Sequence, residues 1–109
     1  MATIPYQSSL VTGLAGVTMA AASAGGDKVL PNDRGIVIFR NGDASPKTIT
    51  VDVPGLKYGQ IFNDYTVVVA AGAIATIGPL PADLANPADG LVALTYSAVT
   101  SCTIGAVQI

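Results

Sequence analysis

The sequence predicts an all-β fold, an antiparallel β-sandwich or small barrel of about eight strands with an extended N-terminal arm. Three observations lead there. The apolar runs are built from Val, Ile and Thr, and Gly, Pro, Asn and Asp punctuate them at roughly ten-residue spacing. All seven acidic residues are Asp, so the charged helix formers that stabilise exposed helices are almost missing. Thr66 to Leu80, TVVVAAGAIATIGPL, carries no charge at all. That stretch reads as two apolar strands forming a hairpin at Ala71-Gly72, closed by Gly78-Pro79. A strand apolar on both faces needs cover on both faces, from a second sheet, an arm or another molecule.

The elements follow in order. Residues 1–16 read as an N-terminal arm, and 17–109 as a single domain, the default at 109 residues. Leu10 to Ala24 has the look of a signal-peptide core, but no positive residue precedes Lys28. It is also short and rich in Gly and Thr for a bilayer span. An uncharged arm holding Pro5 suits a groove on a neighbouring molecule better than open solvent. The alternative is an arm folded back over its own domain. Ile4, Pro5, Tyr6, Leu10 and Val11 are the candidate partner-binding residues.

A first strand is expected near Val17 to Ala22, and a short edge strand at Lys28 to Leu30. Ile36 to Arg40 reads as a buried central strand. Asn41-Gly42-Asp43 opens a hairpin loop that runs to Pro46. Lys47 to Val53 returns with Lys47, Ile49, Val51 and Val53 on one face and Thr48, Thr50 and Asp52 on the other. Leu56 to Asp64 is a connection whose Tyr58 and Phe62 are placed to close one end of a sandwich. After the Thr66 to Leu80 stretch, Pro79 and Pro81 stop the ladder because proline donates no N–H. Ala82 to Asn86 allows one helical turn. Leu91 to Ser97 and Ser101 to Ile109 complete the strands, the last with an apolar end expected to pair into a sheet.

The charge balance narrows function. Charged residues make up 11% of the chain, against roughly 25% in an ordinary soluble domain. A free monomer of this size uses charge for solubility and to guard its sheet edges. Much of this surface is therefore expected to be covered in the working state. The net charge of −2 argues against direct nucleic-acid binding, which needs a basic patch. With no His and one cysteine, Cys102, zinc ligation and an internal disulfide are not supported. Cys102 is expected as a buried thiol.

Asn32-Asp33, Asn41 with Asp43, and Asn63-Asp64 lack the spacing of a calcium loop and read as turn formers. Ser97 and Ser101 have no neighbouring base in sequence. Asp83 and Asp89 are the available carboxylate pair, and they lie in a Pro-rich loop where caps and turns need such residues. Tyr6, Tyr58, Tyr65 and Tyr96 read as sheet-packing residues. No catalytic site and no cofactor is expected.

Six segments carry a resemblance: AGGDK (24–28), PNDRG (31–35), FRNG (39–42), VDVPG (51–55), AAGAIATIGPLP (70–81) and ADGLVALTYS (88–97). From about Ala22 to Ile109 the chain resembles a group of small head proteins encoded by tailed bacteriophages and prophages near the major capsid gene. The resemblance implies a capsid decoration, or cement, protein on the outer surface of the virion. Its partners would be the major capsid protein and copies of itself, with a trimer suited to three-fold sites. Two other classes fit the same composition: a head-tail connector or tail protein, and a bacterial surface or carbohydrate-binding module.

Overall fold

The computed structural model describes residues 2–57, 59–61 and 63–109. Within them the chain forms β1 (Ala2–Thr3), β2 (Tyr6–Ser8), β3 (Ala20–Ala21), β4 (Asp27–Val29), β5 (Gly35–Asn41) and β6 (Lys47–Val51). It continues through β7 (Leu56–Lys57), β8 (Gln60–Ile61), β9 (Tyr65–Val69), β10 (Ile74–Ile77), a 3₁₀ turn at Ala82–Leu84, β11 (Val92–Tyr96) and β12 (Cys102–Gln108). Two sheets stack into a sandwich. Sheet A runs β1-β4-β11-β6-β9, and sheet B runs β10-β5-β12-β2, with β3 also against β12. Strands β7 and β8 make a small separate hairpin.

The core lies between the sheets because period-2 alternation delivers one face of each strand there. In β6, Lys47, Ile49 and Val51 point inward; in β5, Val37, Phe39 and Asn41 do so. Strand β12 adds Cys102, Ile104 and Ala106. The longest ladder is β5 with β12, running from Asn41 opposite Cys102 to Gly35 opposite Gln108. Phe39 of sheet B stacks on Tyr96 of sheet A at 5.4 Å between ring centroids. Burying side chains of this size contributes about 1.5–3 kcal/mol each.

The structure corrects two expected hairpins. Strands β5 and β6 lie in different sheets, and so do β9 and β10. The turn at Ala71-Gly72 is real, with the Ala73 N–H on the Ala70 carbonyl at 3.0 Å and Gly72 at φ +74°. It turns the chain through the side of the sandwich. Strand β9 pairs β6, and β10 pairs β5. Their inner faces are covered by the opposite sheet, while Val68 and Ile74 face outward and stay exposed. Nor is β4 an edge strand, since β1 and β11 flank it.

The N-terminal segment is the third correction. Residues 2–8 are part of the sandwich. Strand β1 pairs in parallel with β4, the chain crosses at Ile4-Pro5, and β2 pairs in parallel with β12. Ile4 is buried and its N–H reaches the Lys28 carbonyl at 2.8 Å. The cause is β12, whose outer edge at Ala106 to Gln108 needs a partner, and Tyr6 to Ser8 supplies one. Tyr6 lies against Gly35, where a Cβ would collide with its ring, and its hydroxyl donates to the Leu30 carbonyl at 2.6 Å. Beyond Ser8, residues 9–19 leave the strands and run over the surface.

Asn41 joins the two sheets where β9 turns into β10. Its main chain belongs to sheet B, and its N–H donates to the Ala73 carbonyl at 2.9 Å. Its Nδ2 reaches carbonyls of Ser45 at 2.9 Å, Val69 at 3.1 Å and Ala70 at 3.3 Å. Its Oδ1 accepts the Asp43 N–H at 3.0 Å. The side chain is fully buried, and its bond to the Val69 carbonyl lies in the interior, so removing the amide takes polar contacts out of a dry site. Replacing Asn41 by Ala is expected to cost about 2–4 kcal/mol, read as a fall in the urea unfolding midpoint with an unchanged slope. An unchanged midpoint would show that the corner holds without the amide.

Candidate functional site

A groove lies on the lateral side of the sandwich where β9 and β10 run. Tyr65, Val67 and Val51 form one wall, and Ile77, Leu80 and Leu84 the other. Its volume is about 500 Å³. The geometry follows from the corner: β9 and β10 are the last strands of their sheets, so no third strand closes the space between them. The 3₁₀ turn after Pro81 brings Leu84 back beside Leu80. Asp83 is the one charged residue on the lining.

Three apolar side chains of β9 and β10 are exposed, Tyr65 on the groove and Val68 and Ile74 on the outward faces. Tyr65, Val68 and Ile74 keep 60%, 70% and 64% of their area in solvent. On the opposite lateral side, Leu10 and Val11 stand out at 67% and 105%. Of the candidate partner-binding residues, Ile4 and Tyr6 are turned into their own domain, Pro5 sits exposed at the crossing, and Leu10 and Val11 face solvent. The groove residues were not anticipated as a site. Leu80 and Leu84, apolar residues in an otherwise Pro-rich loop, were the available signal.

The polar groups singled out in the sequence mostly serve the backbone. Asn32 Oδ1 accepts the Arg34 N–H at 2.8 Å, Asp64 Oδ1 the Val53 N–H at 2.9 Å, and Asn86 Oδ1 the Ala88 N–H at 2.9 Å. Ser97 Oγ accepts the Thr48 N–H at 2.9 Å. Asp89 pairs with Lys28 and caps the Leu91 N–H, while Asp83 stands at the groove, so the two are put to separate uses. Among the described residues no cluster of three or more His, Cys, Asp or Glu is placed to hold a metal ion. Cys102 is buried, with its thiol against the Thr100 carbonyl at 3.3 Å, and burial pushes its pKa up.

Among the described residues two charged side chains, Asp27 and Lys47, are buried. Asp27 accepts the Tyr96 hydroxyl at 2.7 Å and the Ser23 N–H at 3.1 Å. Burial, reinforced by this bond to Asp27, raises the Tyr96 pKa and keeps the phenol protonated. Lys47 pairs with Asp43 at 2.7 Å beside the corner that Asn41 holds. Tyr6 and Tyr96 pack as expected, and Tyr65 does not, since it rims the groove. Tyr58 and Phe62 lie outside the described residues.

No family model, curated protein or solved structure matches the chain. No helix among the described residues is long and apolar enough to cross a membrane.

The Lys47 and Ala44 contacts to Asp43 lower its pKa below the ordinary carboxyl value of 3.8. A depressed folded-state pKa adds stability that is complete above the unfolded value and fades as pH falls through the folded one. Thermal stability is therefore expected to decline below about pH 4, and Asp43→Asn to flatten that decline. Melting curves between neutral pH and the acid range measure both. Identical acid profiles for the two proteins would remove Asp43 from the account.

Proposed function

We propose that this chain is a structural virion protein, a decoration protein that binds the outer surface of a tailed-phage head and stabilises it. The observation that carries the reading is the pairing of a rigid sandwich with uncharged, apolar lateral edges. Val68 and Ile74 flank one edge, and Leu10 and Val11 project from the other. Such surface is costly to leave in water and contributes when covered. The resemblance of six sequence segments to small phage head proteins points the same way.

The mechanism is mechanical. A thin plate measuring 42 × 35 × 20 Å lies across a junction between capsomers. Contacts made on both sides of the junction must break before the shell parts there. The partner is the major capsid protein, repeated over the lattice. Modest affinity per contact suffices, because a copy held at two points rebinds at one while the other persists. Copies of the chain associate around a three-fold position, for which a trimer is the symmetric solution. The role requires no cofactor and no turnover.

The test is direct. Purified protein is added to undecorated heads of the phage that encodes it, and bound copies are counted after sedimentation. Many copies per particle, and heads that withstand higher temperature before releasing DNA, are the expected results. Val68→Asp and Ile74→Asp together are expected to lower occupancy by tenfold or more, since each removes about 1–2 kcal/mol of apolar contact. A few copies at one vertex would instead identify a connector or tail component. No particle binding, with glycan binding in its place, would identify a surface module.

A further inference from the structure

Asn41 and Gly42 are both fixed by packing at the corner. Asn41 is fully buried, and its Nδ2 donates to the carbonyls of Ser45, Val69 and Ala70. The Gly42 N–H donates to the Ser101 carbonyl at 3.0 Å. A Cβ on Gly42 would stand 2.7 Å from that same oxygen. No side chain fits there unless the backbone shifts, so glycine is the residue this contact admits. The fold thus sets an asparagine directly before a glycine. Of the four asparagines in the chain, Asn41 alone has that neighbour; Asn32 and Asn63 precede Asp, and Asn86 precedes Pro.

An asparagine-glycine pair is chemically reactive. The glycine backbone nitrogen attacks the asparagine Cγ, and the new N–Cγ bond closes a succinimide ring. The Cγ–Nδ2 bond breaks, and Nδ2 leaves as ammonia with the proton given up by the glycine nitrogen. Water then opens the ring at either carbonyl, giving aspartate or its β-linked isomer, isoaspartate. Glycine favours the attack because it has no side chain to block it and the widest backbone freedom.

In the folded protein both reacting groups are held. The Gly42 nitrogen is committed to Ser101. The Asn41 amide is pinned by its three acceptors and by the Asp43 N–H on Oδ1. Its main chain is paired opposite Cys102 in the β5–β12 ladder. Ring closure requires the amide to turn out of these bonds, so the corner must open first. The product then no longer fits the place it left. An aspartate has no N–H for the three carbonyls and brings a charge into a buried site. An isoaspartate lengthens the main chain between the ladder and the Gly42 N–H, which displaces the bond to Ser101.

We propose that Asn41-Gly42 is a modification site that makes unfolding of this protein one-way. The pair is shielded in the native sandwich, deamidates once the corner opens, and afterwards keeps the corner from re-forming. The native fold is lost by chemical change of the open chain rather than by the opening itself. The reaction needs only water and does not depend on the decoration role.

The test follows the full-length protein with time at mildly alkaline pH, in buffer and in about 6 M urea. Trypsin cuts after Arg40 and Lys47 to release residues 41–47, and after Lys28 and Arg34 to release 29–34, which carries Asn32 for comparison. Mass spectrometry reads the exchange of amide for acid in each peptide. In urea, residue 41 is expected to lose its amide well before Asn32. In buffer the loss is expected to be about a hundredfold slower or more, because only the open fraction reacts. After dilution out of urea, the fraction regaining the native circular dichroism is expected to fall in step with the amide remaining at residue 41. Asn41→Asp, made by expression, is expected to lower the urea midpoint or to fail to fold. Equal rates in buffer and urea would overturn the proposal, as would an amide at residue 41 that outlasts that of Asn32 in urea. So would refolded protein carrying the acid as often as the whole sample does, or Asn41→Asp with the wild-type midpoint.

Discussion

The sandwich depends on its chain changing sheets at both lateral sides. On one side Ile4-Pro5 carries it from sheet A to sheet B; on the other the turn at Ala71-Gly72 does so. Such a corner has a cost. The strand pairing ends there, and polar groups beside a buried corner need partners. Asn41 resolves this with one residue. Its backbone stays in the β5 ladder while its amide donates to the end of β9. A hydroxyl has a single proton to give, and a lysine would bring a second charge beside Lys47. The carboxamide has two N–H donors and no charge, which fits a buried site facing several carbonyls.

The scarce charges are spent on structure. Asp27 is buried beneath the Phe39–Tyr96 stack, and Lys47 is buried against Asp43 next to the corner. Lys28 and Asp89 pair with each other. The outer face of sheet A is mostly polar, and there Thr50 stands opposite both Thr66 and Thr95. Sheet B presents Ile36, Ile38 and Ile74 on its outer face, relieved by Arg40. The broad faces therefore carry few charges.

Strand positions were legible because alternation and turn residues are local. Lys47 to Val53, Ile36 to Arg40 and the last two strands fall within two residues of where they were expected. Sheet membership was not legible. Asn41-Gly42-Asp43 and Ala71-Gly72 have the composition of hairpin turns, yet each leads into the other sheet, and only pairing partners far along the chain decide that. The same holds at the N-terminus. Ile4 and Tyr6 suit a neighbour's groove or their own core equally well by composition. The deciding fact is that β12, a hundred residues away, has a free edge at Ala106 to Gln108. For the candidate site, Leu10 and Val11 were named from an uncharged stretch of chain, and the structure places both in solvent. The groove was not named, because it is an absence: the space left where neither β9 nor β10 has a further neighbour.

The two lateral sides are defended unequally, and this difference bears on the working state. On the N-terminal side the edge strands are two and three residues long, with Pro5 between them, a pattern that discourages further pairing. On the other side β9 has five residues and β10 has four, and neither contains a charge or a proline. Their outward backbone groups and their Val, Ile and Tyr side chains offer a template for association. Chains that function alone avoid such an edge, usually with an inserted lysine or a bulge. An edge left open on one side only, beside a groove of matching character, fits a protein that works with that edge covered.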